Sequence, residues 1–411
     1  TMFRHSRARR RESSTRASTM APKHIEDDAR PSSCVGARVE RGDEGATATT
    51  TAALTKVALI LGVTGQTGSY LTDLLLSKGY IVHGLTHSTW QNYPERLRHV
   101  MCESSPFRSR FVLHQGDILE FETLVRILHD VKPCEIYNLA AQSSVHLSFQ
   151  QPLSTVKSVG LGVFNVIEAI RTVNPTIKLF QASSSEIFGK TTVFPQRETT
   201  PPCPCSPYAN AKLMAHQAVI MHREAYGLYA VSGILYNHES SRRGANFVTQ
   251  KIVTAAVRIK HGLQQQVELG NLNSRRDWGH AQDFVVCMWK MLQLDEPEDF
   301  IVATGKTHTV RQFVTFAFKA VGIDVEFQNS GTEEIGINKA TSEVIVKVDP
   351  KYFRPDEPIQ TVGDSSKAFE LLQWQPEIDL AQLIEEMVTA CEWRLIHGNK
   401  RTSTRIRGLA G

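Results

Sequence analysis

The sequence predicts an α/β protein with a Rossmann-like, doubly wound parallel sheet and a smaller C-terminal α/β substrate-binding domain. From Lys56 onward, short β-rich segments alternate with longer helical segments, a pattern typical of parallel strands joined by right-handed crossovers. After about Asn237, helical segments mix with short strands instead. We therefore predict a tail at 1–55, the Rossmann-like domain at 56–240, a mainly substrate-binding domain at 241–395 with some segments returning to the first domain, and a tail at 396–411.

The first strand is predicted at KVALILGV, residues 56–63, and the following helix is expected to stop at Gly79. Further strands are predicted at 80–86, 111–118, 135–142, 178–184 and 229–237. Further helices are predicted at 121–131, 159–173, 208–227, 247–262, 309–322 and 380–395. Ligands of such a sheet bind at the carboxyl ends of its strands, so candidate residues are sought there.

The amino-acid composition and charge of the chain limit the classes of function that we expect. The formal net charge of +4 is too small to indicate a nucleic-acid partner, and residues 1–55 alone contribute ten basic and seven acidic residues. The sequence contains no apolar run near the ~20 residues that span a bilayer, so we expect no membrane partner and a small-molecule substrate. Cys203 and Cys205 flank Pro204 without metal-ligand spacing; we expect reduced thiols and no metal.

The first 55 residues differ from the rest. They are rich in Arg and Ser, and Glu12 is the single acid among the first 20. Such composition suits either a disordered tail or an organelle transit peptide. We favour a tail on a cytoplasmic enzyme, and the chain begins with Thr, so its true start is uncertain.

Gly62, Gly65 and Gly68 form GxxGxxG between the first strand and the first helix. Glycines there allow a tight turn, and the helix N-terminus offers N–H groups to a pyrophosphate. The pattern predicts a dinucleotide site. Asp117 lies at the end of the third predicted strand, where short-chain dehydrogenases contact adenine, although its position also suits a helix N-cap. The second strand ends in Thr86 and His87 rather than an acid, which favours NADP over NAD.

Tyr208 and Lys212 are four residues apart in YANAK, on one face of a predicted helix. A nearby ammonium favours a phenolate, so we expect Lys212 to lower the pKa of Tyr208 and make it a usable base. Such a pair is also common on exposed helices. A catalytic role for the pair is favoured because a glycine turn and a strand that ends in serines precede it in the chain.

The stretch ASSSEIFG, residues 182–189, closes the fifth strand. A serine there can hold a substrate oxygen during proton exchange with Tyr208. Simple hydride transfer needs no extra carboxylate, so Glu186 indicates an elimination, in which it removes a proton from carbon. The alternative is a surface-loop glutamate.

From about Lys56 to Leu395 the chain resembles the GDP-mannose 4,6-dehydratase family of extended short-chain dehydrogenases/reductases. The resemblance lies in GVTGQTGSYL, GDI, EIYNLAAQS, ASSSEIFGK, SPYANAKL, NHESSRRG and RDWGHA. It implies conversion of GDP-mannose to GDP-4-keto-6-deoxymannose and water by internal hydride transfer through bound NADP. It also implies a homodimer or homotetramer.

The resemblance assigns residues by motif. It implies the catalytic residues Ser184, Glu186, Tyr208 and Lys212. It implies cofactor contacts from Gly62, Val63, Thr64, Gly65, Gln66, Thr67, Gly68, His87, Asp117, Ile118, Leu139, Ala140, Ala141, Gln142, Ser143, Tyr208, Lys212, His238 and Arg243. It implies GDP-mannose contacts from Ser184, Glu186, Asn237, Lys251, Arg276, Arg354 and Glu357.

Some positions depart from the family. An Arg-Arg-Ser-Ser run is replaced by His87, Ser88, Thr89 and Trp90, which removes charges expected to meet a 2′-phosphate and a neighbouring subunit. We expect activity with weakened cofactor affinity. Two other interpretations stay open: a related nucleotide-sugar epimerase or reductase, and a non-catalytic nucleotide-sugar-binding protein.

Overall fold

The structure is a computed structural model that describes residues 55–87, 95–353, 358 and 360–407, with side chains to residue 397. Its strands are β1 (Val57–Leu61), β2 (Ile81–Thr86), β3 (Phe111–Gln115), β4 (Glu135–Asn138), β5 (Lys178–Ser184), β6 (Ala230–Leu235), β7 (Asn237–Glu239), β8 (Val267–Leu269), β9 (Arg275–Arg276), β10 (Trp278–His280), β11 (Phe300–Val302), β12 (His308–Thr309), β13 (Val325–Gln328), β14 (Ile335–Asn338) and β15 (Val344–Val348).

The helices follow the same chain order. They are α1 (Gln66–Ser77), α2 (Arg98–Met101), α3 (Phe121–Val131), α4 (Val145–Gln150), α5 (Pro152–Thr155), α6 (Gly162–Val173), α7 (Pro207–Tyr226), α8 (Val248–Lys260), α9 (Ala281–Met291), α10 (Val310–Ala320), α11 (Ser366–Leu372) and α12 (Leu380–Arg407). A π-helical turn, Val156–Leu161, joins α5 to α6.

The predicted parallel sheet is confirmed. Seven strands pair in the order β3-β2-β1-β4-β5-β6-β11, and every pairing is parallel. The strand order reverses between β1 and β4, and a crevice opens at such a switch point. Residues that follow β1 and β4 are therefore placed beside each other.

Helices cover both faces of this sheet. One face packs on α1, α9 and α11 through side chains such as Leu75, Met288 and Leu372. The other packs on α3, α6 and α7 through side chains such as Leu128, Ile167 and Val219. Strands covered on both faces are apolar throughout, and β6 is accordingly buried along its whole length.

A separate hydrophobic core lies in the C-terminal part of the chain. Helices α8, α10 and α12 pack there around Val253, Phe313 and Met387, against strands β8 and β15. Those strands belong to a four-stranded sheet ordered β13-β14-β15-β8. Helices α9 and α11, which follow residue 240, pack on the first core instead.

Among the described residues, one helical segment, Pro152–Val173, is long and apolar enough to cross a membrane by length and composition. Half of it is buried, and Val163, Ile167 and Ile170 belong to the core under the parallel sheet. Its apolar composition is therefore explained in part by this packing.

The predicted elements recur with shifted ends. Helix α3 has the predicted bounds, and α7 ends at Tyr226, followed by Gly227, whose φ of 65° closes the helix. The strands β1, β3 and β4 are shorter than predicted because their last residues belong to the turns of the site. Helix α12 continues to Arg407, beyond the predicted end at Leu395.

Candidate active site

The glycine turn lies between β1 and α1. Gly62 has a φ of 81°, and a Cβ atom at Gly68 would stand 2.6 Å from the Gly62 carbonyl oxygen. Both positions therefore require glycine. Helix α1 begins without a side-chain cap and without an acid in its first turn. Its first backbone N–H groups are thus available to an anion, which fits the pyrophosphate of a dinucleotide.

The side chains of Gln66 and Thr67 hold the turn against β7. The Gln66 amide donates to the His238 carbonyl oxygen over 2.9 Å, and the Thr67 hydroxyl lies 2.8 Å from His238 Nε2. The other ring nitrogen, Nδ1, lies 2.9 Å from the Tyr236 carbonyl oxygen. Burial lowers the pKa of His238 to about 4, so the ring is neutral at pH 7, donates through Nδ1 and accepts from Thr67.

The segment after β4 lies against the glycine turn. A Cβ atom at Gly62 would stand 2.9 Å from the Ala140 backbone, and Leu139 donates to the Leu61 carbonyl oxygen over 3.0 Å. The partly buried residues Leu139, Ala140, Ala141 and Gln142 and the exposed Ser143 line this side. The topology thus brings together the predicted cofactor residues 62–68 and 139–143.

Three further predicted cofactor positions occupy the same sheet edge. His87 follows β2 and is exposed, while Ile118 is buried. The Asp117 carboxylate accepts from the Leu119 N–H over 3.0 Å and stabilises a turn. The N-cap position of α3 is Glu120, so the alternative role of Asp117 as that helix's N-cap is wrong. Ser88, Thr89 and Trp90 lie outside the described residues.

Ser184 and Tyr208 meet at the end of β5. Ser184 is the last residue of that strand, and its hydroxyl accepts from the Glu186 N–H over 3.3 Å. Tyr208 follows Pro207 at the start of α7, which the Ser206 hydroxyl caps by accepting from Ala209. Tyr208 is 8% exposed and hydrogen-bonds to Ser184.

Lys212 lies one helical turn beyond Tyr208. Its ammonium is buried, donates to the Ala182 carbonyl oxygen over 2.7 Å, and stands 5.8 Å from the centre of the Tyr208 ring. Burial lowers the pKa of Lys212 to about 8. The pair thus has the predicted shared face, and the ammonium is anchored at the strand that carries Ser184.

The expectation that the Tyr208 pKa is lowered is wrong. Burial raises the pKa of Tyr208 to about 12, the Glu186 charge also raises it, and the bond to Ser184 and the Arg243 charge lower it. Desolvation of a phenolate outweighs these favourable contacts. The spacing of YANAK could not reveal this, because burial depends on the surrounding fold.

Glu186 lies on a single 3-10 turn, residues 185–188, directly after β5. Its neighbours Ser185 and Ile187 are buried and Glu186 is half-buried. The carboxylate is close enough to Tyr208 for its charge to shift the Tyr208 pKa. Glu186 is therefore partly buried, and its carboxylate lies near Tyr208.

Arg243 is held near the same tyrosine. It pairs with the buried Glu239 over 2.9 Å and stacks on the Phe247 ring at 3.5 Å. Its charge lowers the pKa values of both Tyr208 and His238. The NHESSRRG motif thus contributes one neutral ring and one fixed cation to the site.

The structure brings only some of the predicted substrate-binding residues close together. Asn237 begins β7 and is half-buried. Lys251 lies 3.6 Å above the Tyr352 ring, in a cleft of about 380 Å³ that also contains Gln266 and Glu268. Arg276 is 6% exposed and donates to the carbonyl oxygens of Arg275 and Pro358. Arg354 and Glu357 lie outside the described residues.

Sequence reasoning missed Arg96. This half-buried residue follows the undescribed stretch 88–94, and its guanidinium donates to the Thr64 carbonyl oxygen over 3.3 Å and to the Arg242 carbonyl oxygen over 2.7 Å. Thr64 in turn lies 3.4 Å from the Thr86 hydroxyl at the end of β2. A cation is therefore present at this edge, although the sequence after β2 contains no arginine at the expected positions.

The parallel sheet, the glycine turn and the Ser184–Tyr208–Lys212 cluster define a dinucleotide-binding enzyme of the short-chain dehydrogenase/reductase type. The sequence profile described as GDP-mannose 4,6 dehydratase matches residues 59–387. The chain belongs to this GDP-mannose 4,6-dehydratase family.

Individual relatives with similar sequences support the same family assignment. The chain is 46% identical over 337 residues to the GDP-mannose 4,6 dehydratase of Homo sapiens, and the aligned region covers 81% of this chain and 91% of that protein. It is 47% identical over 335 residues to the GDP-mannose 4,6-dehydratase of Sinorhizobium fredii, with 81% and 95% covered. The Drosophila melanogaster protein is 45% identical over 338 residues, with 82% and 86% covered.

Solved structures share the fold at lower identity. The UDP-glucose 4-epimerase of Thermotoga maritima with UDP-glucose superposes with a TM-score of 0.67 at 22% identity, covering 83% of this chain and 99% of that one. The dTDP-glucose 4,6-dehydratase of Bacillus anthracis in complex with NAD has a TM-score of 0.67 at 19% identity, with 82% and 97% covered. These structures support the Rossmann-like fold.

Proposed function

We propose that this protein is a GDP-mannose 4,6-dehydratase, a hydro-lyase that converts GDP-mannose to GDP-4-keto-6-deoxymannose and water. One observation carries the proposal: Glu186 adjoins the Ser184–Tyr208–Lys212 cluster. Reduction or epimerisation at a hydroxyl needs the tyrosine but no such carboxylate. Elimination needs both, because one proton leaves an oxygen and another leaves a carbon.

The residues divide the chemistry as follows. Tyr208 accepts the proton of the sugar 4-hydroxyl, which Ser184 orients by hydrogen bonding. Arg243, whose charge lowers the Tyr208 pKa, and the Lys212 ammonium, 5.8 Å from the centre of the Tyr208 ring, stabilise the phenolate that this transfer needs. Glu186 removes the carbon-5 proton, which the neighbouring 4-ketone makes acidic, and a proton is returned to the leaving 6-hydroxyl. A nicotinamide dinucleotide, when bound, would accept a hydride from the sugar and give it back, so the overall reaction involves no net oxidation of the sugar.

The residues present fit that cofactor. The uncapped N-terminus of α1, with no acid in its first turn, suits a pyrophosphate, and the close packing of Gly68 on the Gly62 carbonyl oxygen keeps the turn that leads into it tight. We propose NADP rather than NAD. The edge after β2 carries no acid at Thr86 or His87, and Arg96 supplies a guanidinium beside Thr64. Arginine binds phosphate oxygens through its planar fork.

The substrate diphosphate and base are proposed to occupy the cleft at Lys251 and Tyr352. Lys251 offers a cation, and Tyr352 offers a partly exposed ring for stacking. Asn237 and Arg276 lie on β7 and β9, and β7 pairs with the strand that follows β9. Arg354 and Glu357 complete the proposed set.

We also propose a homodimer. Leu153, Val156 and Leu161 are exposed along the Pro152–Val173 segment, and Met214 and Met221 are exposed on the adjoining α7. A Cβ atom at Gly160 would stand 2.8 Å from Met214 Sδ, which shows how closely the two segments pack. A second copy that pairs these helices would cover the apolar patch.

The test is Glu186→Gln. The amide preserves shape but cannot take a proton, so water loss from GDP-mannose, followed by product mass with NADP⁺ present, should fall by about 10²–10⁴-fold. Binding of GDP-mannose should persist. Glu385→Gln, an exposed change on α12, is the control. Equal water loss by Glu186→Gln and the parent would contradict the mechanism. Absence of water loss in the parent itself, with GDP-mannose still bound, would instead indicate a non-catalytic nucleotide-sugar-binding protein.

A further inference from the structure

Asp277 carries a fully buried carboxylate that the proposed chemistry does not use. It lies between β9 and β10, and its exposed fraction is 0%. Its neighbours in the chain are Arg276, a predicted contact of GDP-mannose, and Trp278, which pairs with the predicted contact Asn237. A charge buried so deeply needs hydrogen-bond donors around it, so its donors show which parts of the molecule it holds in place.

Four donors converge on the Asp277 carboxylate. Oδ1 accepts from the Thr304 N–H over 2.9 Å and from the Thr304 hydroxyl over 2.6 Å. Oδ2 accepts from the Gly305 N–H over 2.9 Å and from the Gly363 N–H over 3.4 Å. These donors come from two segments that are far apart in the chain, the loop after β11 and residues 360–364. Asp277 therefore joins both of them to the connection between β9 and β10.

The segment 360–364 contacts both sides of this junction. The Thr361 N–H donates to the Arg275 carbonyl oxygen on β9 over 3.2 Å. A Cβ atom at Gly363 would stand 2.6 Å from the Ala303 Cβ, directly after β11. The segment therefore packs on the end of β11 and bonds to β9 at the same time.

The side chain of Arg276 depends on the chain just before this segment. Its guanidinium is 6% exposed and donates to the Pro358 carbonyl oxygen over 3.1 Å. Pro358 is two residues from the start of the segment, and the predicted substrate residues Arg354 and Glu357 precede it in the sequence. A displacement of the segment would therefore move an acceptor that holds the Arg276 guanidinium.

We propose that Asp277 is a positioning residue for GDP-mannose: its ionised carboxylate holds the segment 360–364 against β9 and so fixes the Arg276 guanidinium where it binds the substrate diphosphate. This inference rests on the proposed function. Asp277 contacts neither the substrate nor the cofactor, so its loss should weaken substrate binding and leave the turnover of bound substrate almost unchanged. A protonated carboxyl would turn an O–H toward these donors, so the arrangement requires the charged form.

The charged form of Asp277 is lost in mildly acidic solution. Burial raises the pKa of Asp277 to about 6, and the hydrogen bonds from Thr304, Gly363 and Gly305 lower it. The carboxylate is therefore ionised at pH 7 and becomes protonated as the pH falls through 6. Binding of GDP-mannose should weaken over the same range.

Other ionisable groups belong to the elements around Asp277. They are Glu198, Tyr236, Arg276, Lys306, His308 and Asp364. His308 on β12 is opposite Arg276, and its ordinary pKa of 6.5 is lowered by burial. A pH effect that comes from His308 would persist without the Asp277 carboxylate, which allows the two residues to be distinguished.

The test compares the parent with Asp277→Asn, by calorimetric titration with GDP-mannose and by steady-state water loss with NADP⁺ present. The amide keeps the shape of the side chain but turns an NH₂ group toward the N–H donors. We expect Kd and KM for GDP-mannose to rise by about tenfold and kcat to change by less than about twofold. Kd for NADP⁺ should not change. Asp324→Asn, an exposed change before β13, is the control and should match the parent.

The pH profile distinguishes positioning from general damage to the fold. Kd of the parent for GDP-mannose should rise as the pH falls through about 6, whereas Kd of Asp277→Asn should be high and constant. Thr304→Val removes one donor to the carboxylate and so raises the pKa of Asp277. The rise in Kd should then begin at a higher pH than in the parent. This second variant leaves the carboxylate in place and decides the matter even if Asp277→Asn does not fold.

Several results would overturn the proposal. One is an Asp277→Asn variant that binds GDP-mannose as tightly as the parent. A second is an equal loss of NADP⁺ binding, which would indicate a loosened fold. A third is a pH dependence that is the same in parent and variant, which would assign it to His308. If the parent binds GDP-mannose without water loss, the dehydratase proposal fails, and the calorimetric comparison still decides the role of Asp277.

Discussion

The Arg96 guanidinium donates a hydrogen bond to the Thr64 carbonyl oxygen over 3.3 Å. Arg96 is 32 residues beyond Thr64 in the chain, and the contact places a cation at the edge of the sheet where a dinucleotide's adenosine would lie. Burial lowers the Arg96 pKa most, the Glu95 charge raises it, and the charges of Arg242, Arg243 and Arg394 lower it further. Cationic side chains gathered in this way favour an anionic ligand.

Arg96→Gln should reduce the preference for NADP⁺ over NAD⁺. A hydrogen bond to a charged group contributes about 1.5–3 kcal/mol, so the ratio of the two dissociation constants should change by about tenfold or more. Titration of each cofactor by calorimetry measures it. Arg98→Gln, an exposed change two residues on, is the control. Equal weakening of both cofactors would show that Arg96 supports only the glycine turn.

Lys212→Met should abolish dehydration and change the pH dependence of stability. The pKa of Lys212 is lowered from 10.5 to about 8 by burial, so its charged form destabilises the folded state fully below pH 8. That cost disappears as pH rises toward 10.5. The free energy of unfolding of the parent, measured in urea, should therefore rise relative to Lys212→Met between pH 8 and 10.5. Parallel curves for the two proteins would contradict the buried ammonium.

His83→Gln should reduce sensitivity to acid. His83 on β2 lies 2.8 Å from His114 on β3, and burial, followed by the His114 charge, lowers the His83 pKa to about 4. Arg126 and Asp130 on α3 act on His114. Stability from neutral His83 is present above pH 6.5 and is lost as pH falls toward 4. The parent's unfolding free energy should decline more steeply than the variant's across that window, whereas the exposed change His146→Gln should not alter the slope.

Leu153→Glu should separate the proposed homodimer. Leu153 is 78% exposed on the apolar face that we propose a second copy covers, and a carboxylate buried in an apolar interface is costly. Sedimentation velocity should show the parent as a dimer and the variant shifted toward monomer. Leu371→Glu, at a 53% exposed position on α11, should leave the parent's distribution unchanged. A monomeric parent would contradict the proposed assembly.

The sequence by itself determined the parallel sheet, the glycine turn and the Tyr208–Lys212 pair. Each depends on contiguous residues: strand and helix periods, the spacing of Gly62, Gly65 and Gly68, and one turn of helix. It also singled out Glu186, because a carboxylate at a strand end is unusual and the family motif contains it. The predicted ends of the strands and helices were less accurate, because β1 and β4 stop where the turns of the active site begin.

Only the tertiary structure decided the environment of those residues. The raised pKa of Tyr208 and the lowered pKa of Lys212 follow from desolvation by elements distant in the chain. The hydrogen bonds between Thr67 and His238 and between Arg96 and Thr64 join residues that are far apart in the chain, and no pattern in the sequence indicates that they meet. Local pattern specifies which chemical groups are present, whereas burial and long-range contacts set their charge and their partners.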